Sequence, residues 1–524
     1  MHWNAAPFQG HSLSRRSFLR ATGSLAAAAM FASRASGAVL QNPSFKSDPF
    51  TLGVCSGDPT FDGFVLWTRL APEPLEGGGM PPEAVEVKWV VAEDEALTKV
   101  VREGTTVATP DWAHSVHVEV EGLRPDRWYW YRFTAGSAES PKGRARTFPT
   151  HDTAAQRLRF AFASCQHYEQ GLFTAYEHMA KEELDVICHL GDYIYEYGGK
   201  DGLVRKHTGK EIETISDYRN RHALYKTDLF LQGAHRLFPW IVTWDDHEVD
   251  NNYANAISEE KDVSPETLLA RRANAYKAYY EHMPLRRTSI PRGPDMLLYR
   301  RIPFGKLAEF FVLDTRQYRT NQPCGDGNKA PCDETYSPQA TLLGDKQEAW
   351  LLDNLSSSAG NWNVLAQQVM MARADRKAGA DQAFSMDQWP GYEVNRRRIL
   401  KTLHDRKISN PVVLTGDIHS NWANNLIADF DNLDSRIVAT EFVGTSISSG
   451  GDGARNAKTT QSILAENPFV KFHSTERGYV TCEVTPKHWR TDYRAVEYVS
   501  RPGAPVETRV SFTVESGRPG LQIS

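Results

Sequence analysis

The chain has 524 residues, 40% of them hydrophobic, 24% charged and 11% aromatic, the make-up of a globular protein with a sizeable core rather than a disordered chain. No apolar run reaches the roughly eighteen residues of a membrane-spanning helix, which excludes a polytopic membrane protein. Lys+Arg 60 against Asp+Glu 65 gives a net charge of −5 with no basic block, so the electrostatic footprint of nucleic-acid binding is missing.

Residues 1–38 read as a targeting signal. The stretch Ser14-Arg15-Arg16-Ser17-Phe18-Leu19 carries paired arginines, and the mildly apolar run Ala21 to Phe31 follows. Ser36 and Ala38 suit positions −3 and −1 of a cut after Ala38. The pattern predicts export by the twin-arginine pathway, with the export machinery as a partner and a periplasmic or secreted mature protein. All six cysteines lie beyond the cut, and an oxidising compartment permits disulfides. A bridge is expected between Cys324 and Cys332, which bracket a short loop holding Asp326; Asp326 and Asp333 are expected to be solvated. Cys188 lies in an apolar strand and reads as an inert buried thiol.

Residues 39–150 read as an N-terminal β-sandwich of the immunoglobulin or fibronectin kind. Val85–Val90 and Ser115–Val120 alternate apolar and polar residues, Trp128–Phe133 is rich in aromatics, and Gly122-Leu123-Arg124-Pro125 turns the chain between the last two. Residues 151–156 look like a linker.

From residue 157 to 524 the pattern changes to apolar strands that each run into a polar loop: Leu158–Ser164, Asp185–Leu190, Trp240–Thr243, Ala308–Leu313, Trp362–Ala366 and Val412–Leu414. Helical stretches such as Ala270–Tyr280 and Leu343–Leu355 separate them, which predicts α/β architecture with sheet covered by helices. Ligands in such folds collect beyond the carboxyl ends of the strands. Those positions hold Cys165; Gly191-Asp192-Tyr193-Ile194-Tyr195; Asp245-Asp246-His247-Glu248 with Asp250-Asn251-Asn252; Asp314-Thr315-Arg316; and Gly416-Asp417-Ile418-His419. Burying so many ionisable groups without partners would be very costly. A cation explains them together.

The spacing Gly-Asp-x-x-Tyr, then Asp-His-Glu, then Gly-Asp-x-His resembles the calcineurin-like metallophosphatases, the purple acid phosphatases among them. More closely, Val54-Cys-Ser-Gly-Asp-Pro59, Val65-Leu-Trp-Thr-Arg-Leu70, His189-Leu-Gly-Asp-Tyr-Ile-Tyr-Glu-Tyr197, Trp244-Asp-Asp-His-Glu-Val-Asp-Asn-Asn252, Leu313-Asp-Thr-Arg-Gln-Tyr-Arg319 and Arg477-Gly-Tyr479 resemble the alkaline phosphatase D (PhoD) family. The resemblance runs from about residue 50 to about 500. It implies a sandwich of β-sheets flanked by helices, preceded by a small all-β domain.

The resemblance also implies roles. Asp192 matches the carboxylate that bridges two metals, Tyr195 a phenolate ligand of ferric iron, His419 an imidazole of the iron site and Cys165 an iron-ligating thiolate. Such donors suit a trivalent transition metal. Asp246, Asn251, Asn252 and Asp417 are all oxygen donors, which suits Ca2+. Gln367-Gln368 stands where purple acid phosphatases supply a second-site histidine, which makes Zn2+ the weaker alternative. His247 is expected to act as an acid at the leaving oxygen, or else as a buried histidine fixed by Glu248 or Asp245. Arg316 is expected to present its fork to phosphate, or else to pair with Asp314. His189 is expected in the core or supporting a ligand rather than as a ligand itself, and the Asp387-Gln-Trp389 stretch is expected to pack only.

The reading is therefore an exported, metal-dependent phosphoesterase acting as a monomer, which hydrolyses phosphate monoesters or diesters by a metal-activated water. Two alternatives stand beside it. One is phosphodiesterase or phospholipase D-type activity as the main function; the other is a non-catalytic phosphate-binding protein on the same fold.

Overall fold

A computed structural model describes residues 39–455 and 457–524; the expected export signal lies outside them. Two large sheets pack face to face. The first has ten strands in the order Arg518–Ile523, Val506–Glu515, His488–Val496, Arg477–Val484, Leu158–Ala163, Val186–Leu190, Pro239–Thr243, Val54–Gly57, Phe64–Arg69 and Ser115–Val120. The second has seven, centred on the parallel strands Ala308–Val312, Trp362–Ala366, Pro411–Thr415 and Ile437–Val443. The central strands are buried along their whole length, as in Val186–Leu190, which is why they read as continuous apolar runs rather than alternating ones.

Phe160, Phe162, Cys188, Phe310, Val364, Leu414 and Phe442 fill the space between the sheets. Cys188 is buried there, and burial pushes its thiol up to about 12; it is inert, as the sequence suggests. Helices cover the outer faces. Ile215–Lys226, Leu229–Leu237 and Pro265–His282 lie against the first sheet, and Gly344–Ser356 and Glu393–Asp405 against the second. Pro265–His282 starts where Ser264 accepts from the Thr267 N–H and proline takes the first turn.

In the N-terminal region, Trp128–Ala135 buries Tyr129, Tyr131 and Phe133 and turns Trp128, Trp130 and Arg132 outward. It belongs to a small sheet with Val85–Ala92, Val100–Ala108, Ala138–Glu139 and Gly143–Arg146. That sheet packs through Val85, Val87 and Tyr131 on Phe64, Leu66 and Val118. The facing layer is the edge of the ten-stranded sheet, because Val54–Gly57 pairs in parallel with Pro239–Thr243. The expected sandwich thus shares a sheet with the rest of the molecule. Cys324 and Cys332 are bonded to each other.

Candidate metal centre

The carboxyl ends of the central strands of both sheets converge. Cys165 follows Leu158–Ala163, Asp192 follows Val186–Leu190, Asp245 and Asp246 follow Pro239–Thr243, and Asp417 and His419 follow Pro411–Thr415. The turns are laced to each other: the Cys165 N–H donates to Gly191 O at 3.1 Å and the Gln166 N–H to Asp192 O at 3.0 Å. Glu248 fixes the next turn by accepting from the backbone N–H groups of Asp192 (3.1 Å), Tyr193 (2.5 Å) and Asp245 (2.8 Å). Gly191 has φ +109°, and a Cβ there would stand 2.5 Å from Asp245 Cβ. Only glycine fits that approach.

Backbone strain collects at the same place. Cys165 (φ 58°), Asp192 (56°), Asn252 (50°), Asp417 (64°) and His419 (51°) all adopt left-handed conformations, each costing about 1–3 kcal/mol for a residue with a side chain. Four of the five, Cys165, Asp192, Asp417 and His419, follow the central strands closely and offer ligand atoms to clusters at the strand ends.

The side chains form overlapping groups. Ligand atoms of Cys165, Asp192 and His419 lie within 4.8 Å of one another, as do those of Asp192, Asp246 and His247, and those of Asp245, Asp246 and Asp417. The Tyr195 hydroxyl donates to Asp192 Oδ2 at 2.8 Å, sits 3.2 Å from His419 Nε2, and accepts from Ser449 Oγ at 2.7 Å. Asp192 therefore belongs to two donor sets. One is Cys165, Tyr195 and His419; the other is reached through Asp246, which in turn meets Asp245 and Asp417.

The electrostatics fit a cation. Asp192 Oδ1, Asp245 Oδ2 and Asp246 Oδ1 are buried and without a hydrogen-bond partner, an expensive state for a carboxylate oxygen. Burial, then the neighbouring carboxylates of Asp246 and Glu248, push the Asp192 carboxyl well above its usual range. Burial likewise raises Asp417 to about 6. Burial, with Arg477 and His247 nearby, lowers His419 to about 3, so its imidazole is neutral with a lone pair to offer. A metal ion would satisfy all of these groups at once, and this donor set fits one. Gln367 and Gln368 are no part of it. Gln367 bonds Val369 O and Thr415 Oγ1, and Gln368 bonds Thr243 Oγ1 and the Thr315 N–H.

Four expectations are corrected. Arg316 is 0% exposed, and each of its side-chain nitrogens already meets a carboxylate. Its two terminal nitrogens donate to Asp387 at 2.8 and 2.9 Å, and its Nε donates to Asp245. Its side-chain partner is not Asp314: the fork grips Asp387 and lends its charge to Asp245 and Asp246. Asp387, expected only to pack, also pairs with Arg319 at 3.1 Å. His247 is held by Glu196, Nδ1 to Oε2 at 2.7 Å, and not by Glu248 or Asp245. Asp326, expected in solvent, accepts from Asn252 Nδ2 at 3.0 Å.

Asn252 lies beside Asp246, donating its N–H to Asp246 Oδ2 at 2.8 Å. Asn251 gives its N–H to Glu196 Oε1 at 3.0 Å. Sequence reasoning missed Glu196 and Ser449. Glu196 directly follows Tyr195 and could have been found as a carboxylate beside a ligand; nothing in the sequence marks Ser449.

Burial lowers the pKa of His247, but the carboxylates of Glu196, Asp246 and Asp192 outweigh it and hold the ring protonated well above the usual histidine range. Its side chain is 10% exposed.

A two-sheet sandwich with thiol, phenol, imidazole and carboxylate donors at its carboxyl edge has the features of a metallophosphatase. A family model for PhoD-like phosphatases matches residues 160–493, and one for the PhoD-like phosphatase N-terminal domain matches residues 34–149. The chain is 53% identical over 524 residues to alkaline phosphatase D of Bacillus subtilis (strain 168), covering 98% of this chain and 90% of that protein. A solved structure of PhoD superposes with a TM-score of 0.90 at 55% identity, covering 92% of this chain and 93% of that one. The chain belongs to the PhoD-like phosphatase family, and it is an enzyme, a phosphoric ester hydrolase. Among the described residues no helix is long and apolar enough to cross a membrane.

Proposed function

We propose that the protein is an exported phosphoesterase that hydrolyses phosphate monoesters and diesters at a centre holding Fe3+ and Ca2+. The observation that carries this reading is the double membership of Asp192, whose Oδ1 is buried and unpartnered. Cys165, Tyr195 and His419 would hold the iron with Asp192, because thiolate, phenolate and imidazole suit a trivalent transition metal. Asp246, Asn251, Asn252 and Asp417 would hold calcium with oxygen donors; Zn2+ fits them less well. Bound there, the metals supply positive charge to the phosphate oxygens and lower the pKa of a water.

The chain's own residues supply the rest. Glu196 keeps the imidazole of His247 oriented and protonated. His247 gives its proton to the departing alkoxide oxygen, the role for which a positioned acid is worth most. Arg316 positions Asp245 and offsets part of the negative charge collected at the strand ends. The paired arginines at Arg15 and Arg16 support twin-arginine export. Assays of natively exported protein against a monoester and a diester, with metal analysis of the same sample, test the reading. Turnover of either ester by protein containing iron and calcium is the expected result; metal-bearing protein inert to both would overturn it.

A further inference from the structure

With the Arg316 fork gripping Asp387, a second cationic side chain near the strand ends bears on how the substrate's charge is met beside the metals. Of the other arginines around the site, Arg319 pairs with Asp387, and Arg477 spends one terminal nitrogen on His419 O at 2.7 Å and Ser446 Oγ at 2.6 Å, while its buried Nε has no partner. Arg376 is different. Its guanidinium lies over the ring of Trp422, 4.5 Å from the centroid. Among the described residues, none of its side-chain nitrogens meets a carboxylate, carbonyl or hydroxyl at bonding distance. It is half-buried rather than enclosed.

The surroundings fix this group in place. Asp375 accepts from the N–H groups of Lys377 and Ala383, both at 3.0 Å, and the Arg376 N–H donates to Ala383 O at 2.8 Å. Asn467 ties Asp375 down from the other side, with its Oδ1 2.7 Å from the Asp375 N–H and its Nδ2 2.9 Å from Asp375 O. Trp422, the platform, is held by Ser420 Oγ at 2.8 Å and by the edge of His473, and it follows His419 by three residues. The charge of Asp417 acts on Arg376, and burial still depresses the guanidinium to about 10. A half-buried, stacked cation with no anion of its own is a site waiting for one.

We propose that Arg376 binds a non-bridging phosphate oxygen of the substrate on the Asp417 side of the metal centre, with Trp422 as the surface that presents its guanidinium. The proposal rests on the phosphoesterase reading above and names a substrate-binding group for it. In metal-loaded protein, Arg376→Ala should raise KM for p-nitrophenyl phosphate and the inhibition constant of inorganic phosphate together, by about ten- to a hundredfold, the usual worth of a charged hydrogen bond. Iron and calcium content should not change, and kcat should fall less than KM rises. Arg376→Lys keeps the charge without the fork and should recover part of the loss. Equal KM and phosphate inhibition in Arg376→Ala and wild type would overturn the proposal, and so would loss of metal from the variant. Calorimetric titration of inorganic phosphate into both proteins reads the same affinity without turnover. A wild type that binds phosphate but cleaves no ester would therefore defeat the phosphoesterase reading while leaving Arg376 open to the same comparison.

Discussion

His247 donates from Nδ1 to Oε2 of Glu196 at 2.7 Å, and the Glu196 side chain also accepts from the N–H of Asn251. One carboxylate thus orients the acid and tethers the loop that carries the oxygen donors. His247→Ala should lower kcat by about 10²–10⁴-fold, the range for loss of a general acid, with metal content unchanged. The loss should be smaller for a p-nitrophenyl ester than for an alkyl phosphate, because the better leaving group needs less protonation. Glu196→Gln should reproduce that leaving-group dependence in milder form. Equal losses on both esters would remove the acid role.

The Arg316–Asp387 pair is buried and bidentate, so it bears on stability. Asp387→Asn leaves a fully buried guanidinium short of one carboxylate and should cost about 3 kcal/mol or more, since breaking a buried ion pair strands its partner. Denaturant unfolding of the purified variant reads this directly. An unchanged midpoint would mean that Asp245 alone satisfies Arg316.

Tyr195 faces Asp192 and His419 within hydrogen-bonding distance. Iron bound there should colour the protein by charge transfer from the phenolate, and Tyr195→Phe should abolish the visible band while circular dichroism stays native. A colourless, active protein containing zinc alone would contradict the iron assignment.

The second donor set is built of oxygen atoms, so turnover should depend on a hard cation. A calcium-selective chelator should abolish hydrolysis, and added Ca2+ should restore it. Full activity in calcium-free buffer would remove calcium from the account.

Much of this was legible in the sequence because the central strands are buried on both faces. Runs such as Val186–Leu190 and Pro411–Thr415 are continuous apolar segments that end in polar residues, so the positions of Asp192 and His419 at strand ends follow from pattern alone. How the strands divide into sheets did not. Val54–Gly57 pairs with a strand nearly two hundred residues later, and periodicity carries no signal for so distant a partner. The same limit explains Arg316. Asp314, two residues away, is the partner that spacing suggests, whereas Asp387 arrives through a loop whose course depends on the fold. Asp326 reaches Asn252 because its loop, closed by the Cys324–Cys332 bond, folds back over the strand ends; composition alone reads it as solvated.

The shared role of Asp192 is the central claim, and Asp192→Asn tests it most directly. Metal content and phosphate-ester turnover should be measured on one preparation of the variant, with thermal unfolding as the control for folding. The account predicts a folded protein in which iron, calcium and turnover are lost together, because the amide removes the charge common to both donor sets. A folded Asp192→Asn protein that keeps both metals and wild-type turnover would contradict it.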